Sequence, residues 1–240
     1  MEEKELEKAY DKVSKKYLFS RTEGKGICGF ENREMEQPIM FELVPMHLKN
    51  KKLLDVGCGP GIHIKKYVKR GAKCTGIDLS NEMIKLAKKY CPSADFKKGS
   101  IYDLKFDDDF FDIITSSFVL DHVKELNRGI KEVKRVLKTK GLFIFSIPHP
   151  ITFMFRNSEK GVFIPSHSYF DQDKVYYDIV QSGNKFPEFP RTLEEYFQEF
   201  LKLGFTLIDF RESKPKEEWE KIDPMFVKIP DLCFFVWRKD

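Results

Sequence analysis

The chain has 240 residues, with 42 Lys and Arg against 38 Asp and Glu, a formal net charge of +4. That length suits one well-cored α/β domain with an appendage, and so small a charge, spread as Lys65-Lys66, Lys88-Lys89 and Lys134-Arg135 over expected helix surfaces, weighs against a nucleic-acid partner. Met1 to Lys8 is charged without an apolar signal core, and no apolar run is long enough to span a bilayer, so a cytoplasmic protein with no membrane partner is expected.

Leu6, Ala9, Tyr10, Val13 and Tyr17 recur on one face of an N-terminal helix. Arg21 to Phe30 contains glycine and reads as mobile. Leu53, Leu54 and Val56 form a short apolar strand that runs into Gly57, Gly59 and Gly61 at alternate positions. A Cβ at such sites would block tight turning and close approach of backbone to a ligand. Ile64, Tyr67 and Val68 follow at helical spacing, and Gly71 closes that helix. Strand, turn and helix together leave free N–H groups under a ligand. Lys73 to Ile77 is a second strand with Asp78 at its carboxyl end, placed to accept hydrogen bonds from ribose hydroxyls.

Ser80 caps a helix through Tyr90, with Met83, Ile84 and Ala87 inward. Ala94 to Lys98 and Phe111 to Ser116 are further strands. Leu126, Ile130, Val133 and Leu137 mark the next helix, and Gly141 to Ile147 a fifth strand. This alternation implies a parallel sheet with helices on both faces. Ile151 to Pro190 breaks the pattern and is dense in aromatics, among them Phe163, Tyr169, Phe170 and Phe186. Thr192 and Glu195 form a capping box before a stripe of Leu193, Tyr196, Phe197, Phe200 and Leu201, which Gly204 stops. Phe205 to Phe210 and Leu232 to Trp237 are the last two strands.

Two cofactors fit a glycine turn followed by an acid. The dinucleotide fingerprint wants glycine or alanine at its sixth position, where this chain has Ile62, and gives Asp55 no role. The segments LLDVGCGPG, GIDLSNEMIKLAKKY and FFDIITSSFVLDHV resemble the class I S-adenosylmethionine-dependent methyltransferases, within them the small-molecule branch of type 11/25. The resemblance runs from Lys51 to Pro150, with a weaker echo in RTLEEYFQEFLKLGF.

That resemblance implies a Rossmann-like, doubly wound, seven-stranded and mostly parallel sheet, completed by an antiparallel terminal hairpin. It implies S-adenosyl-L-methionine as cofactor, S-adenosyl-L-homocysteine as product, and in-line methyl transfer to a small-molecule acceptor. Asp55 would lie near the cationic amino acid end of the cofactor. Gly57, Cys58, Gly59 and Gly61 match the glycine motif, and Asp78 matches the ribose-binding acid. Leu79 and Met83 would flank the adenine. Ser100 and Ile101 stand where many relatives have Asp and Ala, so Ser100 is a departure. Ser116 and Ser117 fall where backbone carbonyls meet the cofactor's ammonium. The expected organisation is an N-terminal helix and cap (1–50), a cofactor-binding core (51–150), an aromatic lid insertion (151–190) and a C-terminal helix and strand hairpin (191–240).

For the acceptor side, histidine is the natural base near neutral pH. His149, held between Pro148 and Pro150 after the fifth strand, and His122, after the fourth, are the catalytic candidates. Tyr169 and Phe170 of the lid, with Tyr10 and Tyr17 of the first helix, would close over an apolar or aromatic acceptor; the competing reading of 151–190 is an interface. Five cysteines lack metal-ligand spacing and read as free thiols. Asp107-Asp108-Asp109 reads as an acidic surface turn, so no metal is expected. An RNA methyltransferase, an NAD(P)-dependent oxidoreductase and a non-catalytic cofactor-binding protein stay open, as do the acceptor atom and the oligomeric state.

Overall fold

Apolar residues alternate along the central strands so that neighbours point to opposite faces, and both faces are buried. The computed structural model describes residues 2–23, 26–155, 167–171, 173–179 and 182–240. Its strands are β1 (Lys52–Val56), β2 (Lys73–Asp78), β3 (Asp95–Lys98), β4 (Phe111–Ser117), β5 (Leu137–Pro148), β6 (Val175–Tyr177), β7 (Phe186–Glu188), β8 (Phe205–Glu212) and β9 (Leu232–Lys239). Seven of them form one sheet in the order β3-β2-β1-β4-β5-β9-β8, and β6 pairs with β7. β9 runs antiparallel to β5 and β8, whereas the other pairings in the large sheet are parallel.

The helices are α1 (Glu2–Glu23), α2 (Ile27–Phe30), α3 (Gln37–Leu43), α4 (Ile62–Lys69), α5 (Asn81–Tyr90), α6 (Leu126–Val136) and α7 (Leu193–Lys202). Leu54, Ile114, Phe143 and Phe235 pack under α6 and α7 through Ile130, Val133, Tyr196 and Phe200. Their strand neighbours Leu53, Ile113, Ile144 and Phe234 pack under α3, α4 and α5 through Met40, Ile64, Tyr67 and Ala87. This two-faced burial is the doubly wound architecture expected from the sequence. Strand order reverses between β1 and β4, and α/β proteins bind ligands in the crevice outside such a switch point.

Local chemistry ends the elements where it should. Ser80 Oγ accepts the Met83 N–H at 3.1 Å, and Thr192 and Glu195 make a complete capping box. Two boundaries differ from expectation. α6 stops at Val136, and Leu137 opens β5 opposite Phe111; its spacing of four from Val133 made it look helical. The stretch read as mobile is helical where it is described: α1 continues through Arg21 to Glu23, and α2 leads into a π-helical turn, Glu31–Glu36, before α3. A π turn shifts the facing of side chains and is common at functional sites. Here it buries Asn32, Met35 and Glu36.

The segment after β5 begins with a 3₁₀ turn, Pro150–Phe155, and includes the β6–β7 hairpin. Phe186 of β7 is fully buried and lies 4.8 Å from the Tyr10 ring of α1. Phe163 lies outside the described residues. Among the described residues no helix is long and apolar enough to cross a membrane.

Candidate functional site

The carboxyl ends of β1, β2 and β4 and the inner face of α1 enclose a cavity of about 290 Å³. Its floor is the glycine turn. Gly57 has φ +70°, and a Cβ there would sit 2.2 Å from Val119 Cγ2, so only glycine fits. The Cys58 N–H donates to Ile77 O at 2.9 Å, which ties the turn to β2. Asp78 accepts the Gly59 N–H at 2.9 Å through Oδ2 and the Ser80 N–H at 2.8 Å through Oδ1. Burial pushes its carboxyl up to about 6, against those two N–H bonds, which favour the charge.

Of the residues anticipated for a cofactor, Gly57, Gly59, Asp78, Leu79, Met83, Ile101 and Ser117 line this cavity, as do Tyr10, Tyr17 and His122. The others support it from outside. Cys58 is buried beneath the turn, and Gly61 packs toward Phe96. Ser116 Oγ donates to Val56 O at 3.0 Å. Ser100 Oγ donates to Glu3 of α1 and accepts the Tyr102 N–H at 3.0 Å; Ser100 itself does not line the cavity, whereas Gly99 and Ile101 do.

Asp55 faces a smaller recess of about 30 Å³ that shares Tyr17, Gly57, Gly59, Ser117 and Phe118 with the main cavity. Its Oδ1 accepts the Thr115 hydroxyl at 2.7 Å, and burial pushes its carboxyl up to about 6. Three residues that the sequence reading passed over line the same recess: Arg21, Asn32 and His63. Arg21 is buried, with its guanidinium 4.6 Å from the Tyr17 ring centroid and 5.4 Å from that of Phe118. One Nη donates to Cys28 O at 2.6 Å and Nε has no partner. Among the described residues no carboxylate pairs with it, an unusual state for a buried guanidinium. His63 Nε2 lies 2.9 Å from Glu36 Oε2, and Glu36 Oε1 accepts the Ser146 hydroxyl at 3.0 Å. No motif marks these residues; they meet only because the π turn packs onto the start of α4.

α1 is fastened over the cavity by its acidic face. Glu2 pairs with Lys124 at 2.8 Å and Glu7 with Lys98, while Asp11 Oδ1 accepts the Ser80 hydroxyl at 2.5 Å and the Glu82 N–H at 3.1 Å.

Three acceptor-side expectations take different positions. His149 is absent from the cavity lining. Its Nε2 lies 3.0 Å from Glu212 Oε1 and its Nδ1 accepts the Ile151 N–H at 3.1 Å, so both ring nitrogens are engaged just past the carboxyl end of β5. Burial lowers its pKa while Glu212 pulls the other way. Tyr169 Oη accepts the Leu193 N–H at 3.0 Å at the start of α7, and Phe170 is 76% exposed; neither lines the cavity. His122 does line it. Its Nδ1 lies 2.7 Å from Pro187 O, which makes that nitrogen the donor, and its Nε2 lies within hydrogen-bond distance of the Tyr10 hydroxyl at 3.1 Å.

The model of the methyltransferase domain family matches residues 54–145, from β1 to β5. A demethylmenaquinone methyltransferase from Chlorobaculum parvum is 31% identical over 169 residues, 68% of this chain and 68% of that protein. The chain belongs to the class I S-adenosylmethionine-dependent methyltransferases. An uncharacterised protein of Haemophilus influenzae is 35% identical over 160 residues, 63% of this chain; the match spans 62% of that relative's own length. A Listeria monocytogenes structure described as an S-adenosylmethionine dependent methyltransferase has a TM-score of 0.73 at 27% identity, covering 85% of this chain and 97% of that one.

The cavity of this methyltransferase fits the family's cofactor on its own evidence. It combines a floor that only glycine can form, an acid beside it, apolar side chains at Leu79, Met83 and Ile101, and, in the adjoining recess, a buried guanidinium whose Nε has no hydrogen-bond partner.

Proposed function

We propose that this protein transfers the methyl group of S-adenosyl-L-methionine to a small-molecule acceptor, releasing S-adenosyl-L-homocysteine. The observation that carries the reading is Asp78 in the cavity together with Arg21, whose Nε has no hydrogen-bond partner, in a recess that shares lining residues with it. The bound cofactor supplies an electrophilic methyl on a sulfonium that is already a good leaving group. The protein's task is to hold the acceptor in line and exclude water.

Asp78 accepts the ribose hydroxyls, and Leu79, Met83 and Ile101 pack on the adenine. Arg21 takes the amino acid carboxylate, with Asp55 set for the ammonium across the recess. His122 stands on the cavity wall as the histidine nearest an acceptor. α1 and the β6–β7 hairpin form the cover, held together by Tyr10 and Phe186. The name of the Chlorobaculum relative, a demethylmenaquinone methyltransferase, supports a small organic acceptor. The charge balance of the chain gives no basic tract for RNA.

Thermal shift with S-adenosylmethionine, NAD and NADP, followed by transfer of labelled methyl into a metabolite extract and into purified RNA, tests the reading. Stabilisation by the first cofactor alone and label in small metabolites is the expected result. Stabilisation by NAD or NADP, or label confined to RNA, would refute it.

A further inference from the structure

Three buried ligating side chains converge beside the cofactor cavity, and one of them, His122, lines it. Asp121 and His122 end the 3₁₀ turn Leu120–His122, and Glu188 ends β7. One donor atom from each lies within 4.8 Å of the other two, and all three residues are buried. Two carboxylates brought this close in low dielectric repel unless a cation lies between them.

Among the described residues no lysine or arginine pairs with Asp121. Its Oδ1 is buried and has no hydrogen-bond partner. The basic group nearest its Oδ2 is His122 Nε2 at 3.8 Å. Arg191 is close in sequence to β7, but its guanidinium donates to the carbonyls of Leu120, Val123, Lys124 and Phe189. Those bonds fix the backbone of the turn. The Phe189 N–H donates to Asp121 O at 2.8 Å and ties the turn to the end of β7. The three ligands therefore sit on mutually anchored backbone, the condition for a site rather than a chance cluster.

We propose that Asp121, His122 and Glu188 bind one divalent transition-metal cation of the Zn²⁺ or Mn²⁺ type. Two carboxylate oxygens and one imidazole nitrogen suit these ions. Ligand bonds of about 2.0–2.2 Å place donor atoms roughly 3–4 Å apart, so side-chain rotation of about 1 Å closes the site. Tyr10 Oη, 3.1 Å from His122 Nε2, is a fourth donor within reach. Because His122 lines the cavity, a cation held by it would lie beside the space left for an acceptor. There the cation would lower the pKa of an acceptor hydroxyl bound to it, the proton passing to water, and the oxyanion would take the methyl as S-adenosyl-L-homocysteine leaves. This last role rests on the methyl-transfer reading; the binding of the cation does not.

The full chain, stripped with chelator and dialysed against ZnCl₂ or MnCl₂, tests the site by metal analysis and calorimetry. One equivalent per chain is expected, with affinity at least tenfold weaker in Asp121→Asn and Glu188→Gln. Both variants should keep the wild-type affinity for S-adenosylhomocysteine, which reports on the fold and on the cofactor site. Less than a tenth of an equivalent in the wild type, or undiminished binding in the folded double variant, overturns the proposal. If the variants do not fold, Mn²⁺ broadening of imidazole signals in the wild type decides it. Selective loss of His122 signals supports the site, and loss only at other histidines or at none refutes it. Methyl transfer that persists unchanged in chelator removes the cation from the reaction, whereas failure to bind S-adenosylhomocysteine counts against the methyl-transfer reading alone.

Discussion

Asp78 Oδ2 accepts the N–H of Gly59 at 2.9 Å, so the acid at the end of β2 and the glycine turn after β1 form one unit. Building the turn fixes the carboxylate in the position where a ribose would meet it. The same burial that aims it also raises its pKa to about 6. A protonated carboxyl loses one acceptor oxygen, so cofactor affinity should be full above pH 7 and fall as pH drops through 6. At pH 5 the ionised fraction is about a tenth, which predicts a loss of about tenfold in affinity from Asp78. Asp55, also raised to about 6, adds to the slope. Calorimetric titration between pH 5 and pH 8 measures this. Asp78→Asn should bind weakly throughout and show a shallower pH dependence.

On the proposed reading Arg21 contacts one end of the cofactor only. Arg21→Leu should weaken S-adenosylhomocysteine by about tenfold to a hundredfold, the worth of a charged hydrogen bond of about 1.5–3 kcal/mol. Binding of 5′-methylthioadenosine, which lacks the amino acid carboxylate, should be unchanged. Equal weakening of both ligands would place Arg21 in the fold rather than in recognition.

The Glu36–His63 pair makes a prediction about stability. Burial opposes both charges, but each partner wins for the other: Glu36 stays below 4.5 and His63 above 6.5. The Glu36 share is present above pH 4.5 and lost as pH falls through its lowered pKa. The His63 share is present below pH 6.5 and lost as pH rises through its raised pKa. The pair thus contributes most between these limits. His63→Leu should destabilise the protein by about 3–5 kcal/mol at pH 6, because it leaves a buried carboxylate without its cation. Urea unfolding at pH 6 and pH 9 checks both the size and the sign, since the difference from wild type should shrink at the higher pH.

Two glycines should fail differently. In Gly57→Ala the new methyl meets Val119 at 2.2 Å in a left-handed backbone, which should abolish cofactor binding. Gly76, inside β2, lies under the turn; a Cβ there would approach Ile64 at 2.6 Å and Cys58 Sγ at 2.8 Å. Gly76→Ala should lower stability by about 1–3 kcal/mol through overpacking. Its midpoint in denaturant should move further than its cofactor affinity.

His149 serves as a control. With its ring held by Glu212 and the Ile151 N–H, His149→Gln should leave turnover within about twofold and cost about 1–3 kcal/mol of stability. A large fall in turnover at unchanged melting temperature would return His149 to the reaction.

Much of the donor half was legible in the chain. Strand, alternating glycines, helix and Asp78 are local in sequence, and local geometry decides where their backbone points. The caps at Ser80 and Thr192 were equally legible, because a cap needs only residues three positions apart. The acceptor half was not. His149 and His122 follow adjacent strands and look equivalent in sequence, yet the antiparallel β8–β9 pair brings Glu212 to the first, while α1 and the β6–β7 hairpin turn the second toward the cavity. Arg21 joins the Asp55 recess through a helix more than thirty residues upstream, and Glu188 meets Asp121 across a separation of more than sixty. No periodicity or spacing encodes such meetings. They depend on how α1, the π turn and the hairpin pack onto the sheet, so the sequence by itself determined the cradle, and tertiary packing decided which charged groups face it.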